Sequence, residues 1–338
     1  MNAPLKSQHP LTMPLERRPA APARMAVRSH VHGRPRPPSV AALGDLVLDV
    51  SATLREPIAN GSDAPAVVRF RQGGSAANTA RMVARLGGTA ALVAAVGRDA
   101  WGAALVRSLR DAHVAVHAPR VPAPTARIVV LVAPDGERSF LTERGAADLL
   151  APGHLQPAWF RRDALHLPAY SLLNAPLREA ALAAAEMAHA ARAAVSVDLS
   201  SRRPIAARGR AAARRDIEAA RPDIVFANVG EAAALTGGWR REALLEIAPL
   251  VVLKQGRSGC LVLVRRDENV IALAVAAKAI EATDTTGAGD AFDAGFLVSW
   301  LAAAPATRRD PRVLRTAALA GHRAALRHLG TARPEVEP

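Results

Sequence analysis

The stretch Asp284-Thr285-Thr286-Gly287-Ala288-Gly289-Asp290-Ala291-Phe292 decides the fold of this chain. Apolar residues then recur at helical spacing through Phe292, Phe296 and Trp300, so the glycines stand where a helix begins. Glycines let the backbone approach an anion closely, and the free N–H groups and dipole of a helix start favour negative charge. The sequence therefore predicts a phosphate-binding turn at 287–289, with the carboxylate of Asp290 beside it as a candidate base.

Upstream of this motif, short β-branched runs alternate with alanine-rich helical stretches from Ser39 onward. This alternation is typical of parallel strands joined by crossover helices. We expect a doubly wound, mostly parallel α/β sheet with helices on both faces. The predicted strands lie over 40–50, 90–96, 164–167, 195–199, 223–227, 250–254 and 260–264, and the predicted helices over 75–86, from Asp99 to about 112, and 176–194.

Two stretches, 51–72 and 120–145, break this rhythm. In the second, the runs Arg127 to Val132 and Arg138 to Thr142 flank the turn Pro134-Asp135-Gly136, as in a hairpin. Since neither stretch carries a helix to cover it, we expect the two to form a small sheet that stands off the main domain.

Composition limits the class of protein. The chain has 338 residues, half of them hydrophobic, which suits one elaborated domain. Cys260 is the only cysteine, so an intramolecular disulfide and a cysteine metal cage are excluded, and a reducing cytoplasm is expected. We also expect no membrane span, because no apolar run reaches the roughly 18 residues that one requires.

Much of the net charge of +14 lies in the N-terminal segment. Residues 1–38 carry seven Lys and Arg against Glu16 alone, are rich in proline and contain no aromatic residue, so we expect a disordered basic tail over 1–38 rather than a nucleic-acid-binding surface. A transit peptide, or a true start at Met13 or Met25, stays open for this segment.

Several stretches, in this order, resemble the signatures of the ribokinase-like (PfkB-type) carbohydrate kinases. Asp284 to Phe292 is similar to the C-terminal signature of that family, and Gly73 to Ala80 to its first signature. The resemblance covers about residues 40–335, and it outweighs the alternative of a plain loop with an acidic helix cap at 287–290. It implies a ribokinase-like kinase domain over 39–335 that phosphorylates a sugar hydroxyl with ATP, with Asp290 as catalytic base and 51–72 and 120–145 as a lid over the sugar.

The resemblance also implies which residues hold the sugar. Asp49, at the end of a stretch similar to the opening strand of the family, would accept hydrogen bonds from two hydroxyls. The remaining hydrogen bonds to the sugar would come from Gly73, Gly74 and Asn78. Backbone amides at a glycine turn and a side-chain amide supply both donors and acceptors, as a polyol requires.

For the nucleotide, Asn228-Val229-Gly230-Glu231 matches an Asn-x-x-Glu element that positions Mg²⁺ and phosphate largely through water. Lys254, Gly256 and Gly259 are similar to the strand and turn that line the ATP site. Asp284 and Thr286 occupy positions that help form a monovalent cation site, for K⁺, in many relatives. Asp198 and Arg202 match a further family stretch in part.

The substrate stays open at this point. Ser75 stands where ribokinase-type enzymes usually have a lysine, and His166 to Tyr170 where they have a glutamate, which favours another furanose, a sugar acid or a nucleoside over ribose. The chain has few aromatic residues to clamp a base, so a simple carbohydrate is preferred. The alternatives are a nucleoside kinase of the same fold and a catalytically silent ligand-binding relative. The lid sheet has edges through which a homodimer can form.

Overall fold

The computed structural model describes residues 36–238, 241–278, 284–331 and 333–338. Pro37–Pro338 form one compact unit, and Met1–Arg36 form a separate unit. The predicted disordered tail falls mostly on residues 1–35, which lie outside the described residues. The first strand begins at Ser39, where the alternating pattern starts in the sequence.

The described strands form a large sheet, a small sheet and one short pair. They are β1 Ser39–Leu43, β2 Val47–Leu54, β3 Ala66–Gly73, β4 Thr89–Val93, β5 Val96–Gly97, β6 Val114–His117, β7 Arg120–Val121, β8 Arg127–Val132, β9 Arg138–Glu143, β10 Ala164–Pro168, β11 Ala194–Asp198, β12 Ile224–Asn228, β13 Leu250–Lys254, β14 Cys260–Arg266 and β15 Asn269–Val275.

The large sheet has the order β15-β14-β13-β12-β11-β10-β1-β4-β6. Its neighbours pair in parallel, except that β14 is antiparallel to both β13 and β15 at one edge. The order reverses between β1 and β10, and in such sheets ligands bind in the crevice beyond the carboxyl ends of the strands at the reversal. The predicted doubly wound sheet is confirmed.

Helices cover both faces of this sheet. They are α1 Ser75–Arg85, α2 Ala100–Asp111, α3 Tyr170–Leu173, α4 Leu177–Ala190, α5 Arg202–Arg208, α6 Arg210–Ala219, α7 Val229–Thr236, α8 Ala288–Leu301 and α9 Pro311–Leu329. The Asp99 carboxylate caps α2 by accepting from the Gly102 N–H at 2.8 Å, as predicted. Strand residues alternate between two apolar cores, so that Val225 packs on one face and Phe226 on the other.

The small sheet has the order β3-β2-β8-β9, and its β8–β9 hairpin turns at the predicted residues. It confirms the separate sheet expected from 51–72 and 120–145. The single strand predicted over 40–50 is wrong, because the chain leaves the large sheet after Leu43 and enters the small one at Val47. Both segments are apolar, and hydropathy alone does not show where a chain changes sheets.

Two other elements, β15 and α4, differ from the prediction. β15 has alternating exposed and half-buried residues at the sheet edge and was not predicted. Helix α4 ends at Ala190, four residues before the predicted end. Among the helices of the described residues, none is long and apolar enough to cross a membrane.

Candidate active site

The predicted phosphate-binding turn lies at the N-terminus of α8. Gly287 is the N-cap, and its φ of +80° is a conformation that glycine adopts without strain. The Ala288 N–H donates to the Thr285 carbonyl at 3.1 Å, whereas the next two N–H groups lie in the first turn, where a helix has no acceptor of its own to offer. A side chain at Gly289 would stand 3.4 Å from Lys254 Nζ, so the turn also approaches a cation.

Asp290, the predicted base, is held by two side chains of α1. Ser75 Oγ donates to Asp290 Oδ1 at 2.7 Å, and Asn78 Nδ2 donates to Oδ2 at 2.9 Å. Burial raises the pKa of Asp290 to about 6, and these two hydrogen bonds oppose the rise. At neutral pH the side chain is therefore a carboxylate with increased proton affinity, which suits a general base.

A chain of hydrogen bonds orients Asn78 from behind. Its Oδ1 accepts from Gln72 Nε2 at 3.0 Å, and Gln72 Oε1 accepts from Arg81 Nε at 2.7 Å. Arg81 is anchored in turn on Ser108 Oγ at 2.8 Å. Because the Asn78 oxygen is engaged by Gln72, the amino group of Asn78 must face Asp290.

Lys254, predicted to line the nucleotide site, ends β13 close to the turn. Its Nζ donates to Asp198 Oδ1 at 3.0 Å and to Asp293 Oδ2 at 3.1 Å. Burial lowers the pKa of Lys254, but the two carboxylates outweigh burial and the net pKa is raised. One ammonium therefore ties β11, β13 and α8 together directly behind the phosphate-binding turn.

The Asn228-to-Glu231 element forms the start of α7. The Asn228 N–H donates to Glu231 Oε2 at 2.8 Å and the Glu231 N–H donates to Asn228 Oδ1 at 2.9 Å, the reciprocal pattern of a capping box. Burial, with the charge of Asp198, raises the pKa of Glu231 to about 7. Asn228, Lys254 and Gly256 line one cleft of about 490 Å³, so three of the predicted nucleotide residues share a wall.

The other nucleotide-side predictions fall around this cleft. Gly259 has a φ of +98°, and a side chain there would collide with the Val275 carbonyl, so this glycine lets β14 and β15 close. Arg202 lies against the start of α7, since a Cβ atom added at Gly230 would be 3.0 Å from Arg202 Cδ. Asp198 is buried, and its Oδ1 accepts from Lys254 Nζ.

The predicted sugar-binding residues meet where the amino end of β2 lies beside the carboxyl end of β3 and the start of α1. A side chain at Gly73 would collide with the Asp49 carboxylate, and one at Gly74, where φ is +97°, with the Asp45 carbonyl, so both positions require glycine. Burial raises the pKa of Asp49, and an ion pair with Arg333 opposes the rise. Arg333 Nη1 lies 2.8 Å from Asp49 Oδ2, a partner that the sequence did not suggest.

Asp284 and Thr286, the predicted monovalent cation position, are bonded to the small sheet. Arg138 Nη1 lies 3.2 Å from Asp284 Oδ1 and 3.5 Å from Thr286 Oγ1. The Thr286 N–H also donates to Asp284 Oδ1 at 3.0 Å. Burial would raise the pKa of Asp284, but the hydrogen bonds from Thr286 lower it. The small sheet therefore reaches the phosphate-binding turn, and the cation role of these two residues stays a prediction.

Three residues of the site were missed in the sequence. Asp293 follows Asp290 by three positions on α8, so helical spacing could have suggested that both face the same neighbours. Gln72 and Arg333 gave no such signal, because the partners that define them are fixed only by the fold.

Comparisons with known proteins agree with this geometry. Residues 37–330 match the pfkB family carbohydrate kinase model. The chain is 33% identical to fructokinase-1 of Oryza sativa subsp. japonica over 291 residues, covering 82% of this chain and 87% of the relative. The solved structure of adenosine kinase from Sinorhizobium meliloti is 29% identical, with a TM-score of 0.74 and coverage of 88% and 95%. Fructokinase from Vibrio cholerae O395, solved with fructose, ADP and calcium ion, is 26% identical, with a TM-score of 0.68 and coverage of 85% and 91%.

A doubly wound sheet with a small accessory sheet, and a buried carboxylate beside a glycine-lined helix start, define a phosphotransferase with an alcohol group as acceptor. The family of this phosphotransferase follows from the match of the family model to residues 37–330, nearly the whole of the described chain. The protein belongs to the pfkB family of carbohydrate kinases, and it is an ATP-dependent kinase of a sugar or a nucleoside.

Proposed function

We propose that the protein transfers the γ-phosphoryl group of ATP to a hydroxyl of a simple carbohydrate, with Asp290 as the base. One observation carries this proposal. The Asp290 carboxylate stands in the first turn of α8, next to the Gly287 N-cap, with a pKa raised to about 6. Ser75 and Asn78 each bond one of its oxygens, which fixes its orientation.

In the proposed reaction, Asp290 accepts the proton of the substrate hydroxyl while the oxygen of that hydroxyl bonds to the γ-phosphorus. The bond from the γ-phosphorus to the bridging oxygen breaks, and ADP leaves with the electron pair. Backbone N–H groups of 287–290 stabilise the charge on the transferring group. Lys254, whose Nζ lies close to Gly289, adds a fixed positive charge behind the turn.

The residues present fit a hydrated Mg²⁺ ion. Among residues 36–238, 241–278, 284–331 and 333–338, no three His, Cys, Asp or Glu side chains converge as a metal cage. Both Glu231 oxygens already accept from Asn228. Mg²⁺ usually keeps several waters and takes phosphate oxygens, so Asn228 and Glu231 would hold it through its waters. When bound, the ion neutralises charge on the triphosphate.

On the sugar side, Asp49, Gly74 and Asn78 would hold the hydroxyls, and the segments 51–72 and 120–145 would form the lid. The contact from Arg138 on β9 to Asp284 supports this arrangement, because it brings the small sheet against the phosphate-binding turn. A closed lid excludes water and so limits ATP hydrolysis. A K⁺ ion at Asp284 and Thr286 would require Arg138 to leave the Asp284 carboxylate.

Two further assignments belong to this proposal on sequence grounds. The protein is cytoplasmic, since a single buried cysteine suits a reducing compartment. Two chains associate through the edges of their lid sheets.

The test is a panel of neutral sugars, sugar acids and nucleosides assayed side by side with ATP and Mg²⁺. ADP release would be followed by a coupled assay and the phosphorylated product by ³¹P NMR. We expect one carbohydrate to give stoichiometric ADP and phosphate ester. A nucleoside as the best acceptor would replace the carbohydrate assignment, and failure to bind ATP would remove the proposal altogether.

A further inference from the structure

The clearest unassigned feature of the molecule is a pair of arginines that flank Asp49. Arg71 lies directly opposite Asp49 in the antiparallel β2–β3 pair, so the two side chains stand on the same face of the small sheet. Arg333 reaches Asp49 from the C-terminal segment, beyond the residues matched by the family. It also lines a small cavity together with Asn78 and Gly287.

The C-terminal segment holds Arg333 firmly in place. The Val336 N–H donates to the Phe70 carbonyl at 2.9 Å, and the Val336 side chain is buried. Glu335 pairs with Arg69 at 2.6 Å. The segment therefore pairs with β3 through one antiparallel bridge, Arg71 with Glu335, and the guanidinium of Arg333 is presented from a fixed backbone.

Both arginines keep a polar atom unsatisfied. Arg71 Nε and Arg333 Nε are buried and have no hydrogen-bond partner in the part of the chain that the structure describes. A buried N–H group without a partner costs free energy, and native structures that tolerate one usually reserve it for a ligand, an ion or water. A guanidinium can donate two parallel hydrogen bonds, from Nε and the neighbouring Nη, to a carboxylate or a phosphate.

The charged groups around Asp49 balance, so hydrogen bonding rather than net charge distinguishes between substrates. They are Arg69, Arg71, Arg138 and Arg333 against Asp45, Asp49, Asp284 and Glu335. A neutral sugar would find one Asp49 oxygen already paired with Arg333 and would leave both Nε groups unpaired. A substrate with a carboxylate or a phosphate ester would satisfy them.

We propose that the substrate of this kinase is a sugar that carries an anionic group, and that Arg71 and Arg333 bind this group next to Asp49. This inference rests on the proposed function and names its substrate class. Arg333 is then a specificity-determining residue outside the family signatures. A nucleoside, with its base against the guanidinium groups, is the competing occupant that the experiment must separate.

The test uses three probes that differ only at carbon 1: fructose, 2-ketogluconate with a carboxylate there, and fructose 1-phosphate. Binding to the full-length protein is measured by calorimetry with a non-hydrolysable ATP analogue and Mg²⁺, in a buffer free of phosphate and sulfate, with adenosine as a fourth probe. We expect an anionic probe to bind at least about tenfold more tightly than fructose, the usual effect of a charged hydrogen bond.

Arg333→Gln and Arg71→Gln should each lower the affinity for the anionic probe, relative to the affinity for fructose, by about tenfold or more. Arg309→Gln, at an exposed arginine in the turn before α9, is the matched control and should change the affinity for neither probe. If Arg333→Gln does not fold, Arg333→Lys keeps the charge, loses the planar fork, and should still weaken the anionic probe.

The proposal is overturned if fructose or adenosine binds as tightly as both anionic probes, or if the two variants leave anion binding intact. It is also overturned if neither anionic probe binds while the ATP analogue does. Failure of the ATP analogue to bind would instead remove the kinase function on which the inference rests. Tight binding of only one anionic probe supports the subsite and tells carboxylate from phosphate.

Discussion

Replacing Asp290 by asparagine is expected to slow turnover by at least about a hundredfold, the usual contribution of a general base, and also to stabilise the folded protein. The new amide has the same shape, so its oxygen can accept from Asn78 while its amino group donates to the Ser75 hydroxyl. The two hydrogen bonds at this position are therefore kept, and only the charge is lost.

The size of the stabilisation follows from the pKa. The Asp290 pKa rises from its ordinary value of 3.8 to about 6 in the folded protein, because burial penalises the charge. At about 1.4 kcal/mol per pKa unit, the ionised carboxylate costs the folded state about 3 kcal/mol. The folded protein binds this proton more tightly than the unfolded chain, so the cost appears as the pH rises from about 4 to about 6.

The assays are steady-state kinetics and urea unfolding of the wild type and Asp290→Asn from pH 4 to pH 8. The free energy of unfolding of the variant should exceed that of the wild type above pH 6 and converge with it near pH 4. The logarithm of wild-type kcat/KM should rise with pH up to about 6 and then level off. Asp267→Asn, at an exposed turn, should change neither quantity. Near-normal turnover of Asp290→Asn, or a lower stability at pH 7, would refute the reasoning.

Three other changes test separate parts of the site. Gln72→Leu removes the bond that orients Asn78, so kcat should fall about tenfold, with little change in the KM for ATP. Lys254→Met leaves two buried carboxylates without their cation, so the free energy of unfolding at pH 7.5 should fall by about 3 kcal/mol or more, as measured in urea. Gly74→Ala forces a side chain into a φ of +97° and should cost about 1–3 kcal/mol in the same assay.

Each of these has an outcome that contradicts it. Unchanged kcat for Gln72→Leu would show that Asn78 is oriented without help, and Gln72→Glu, which keeps an acceptor for Arg81, separates orientation from packing. A Lys254→Met variant as stable as the wild type would show that the ion pairs of Lys254 with Asp198 and Asp293 do not stabilise the fold. The reference for a harmless change is Gly153→Ala, where the added side chain meets open space. A Gly74→Ala variant as stable as Gly153→Ala would contradict the third prediction.

Prediction from sequence succeeded where local pattern and local structure coincide. Helix α1, the Asp99 cap and the β8–β9 hairpin follow from residues within a few positions of one another. The glycines at 287 and 289 likewise predicted the start of α8. The single strand predicted over 40–50 was wrong, because the chain changes sheets after Leu43. The residues on both sides of this break are buried and apolar, so the hydropathy pattern does not show it.

The sequence by itself determined the kind of chemistry that this protein carries. Glycines at a helix start allow close backbone approach, and an acid one turn in can accept a proton, whatever lies around them. Only the tertiary structure decided which groups set the pKa of that acid and which groups surround Asp49. Gln72 lies 6 positions from Asn78, whereas Lys254 lies 39 positions from Asp293 and Arg333 lies 284 from Asp49. Contacts at such separations leave no periodicity in the chain, because they are set by the packing of whole strands and helices rather than by neighbouring residues.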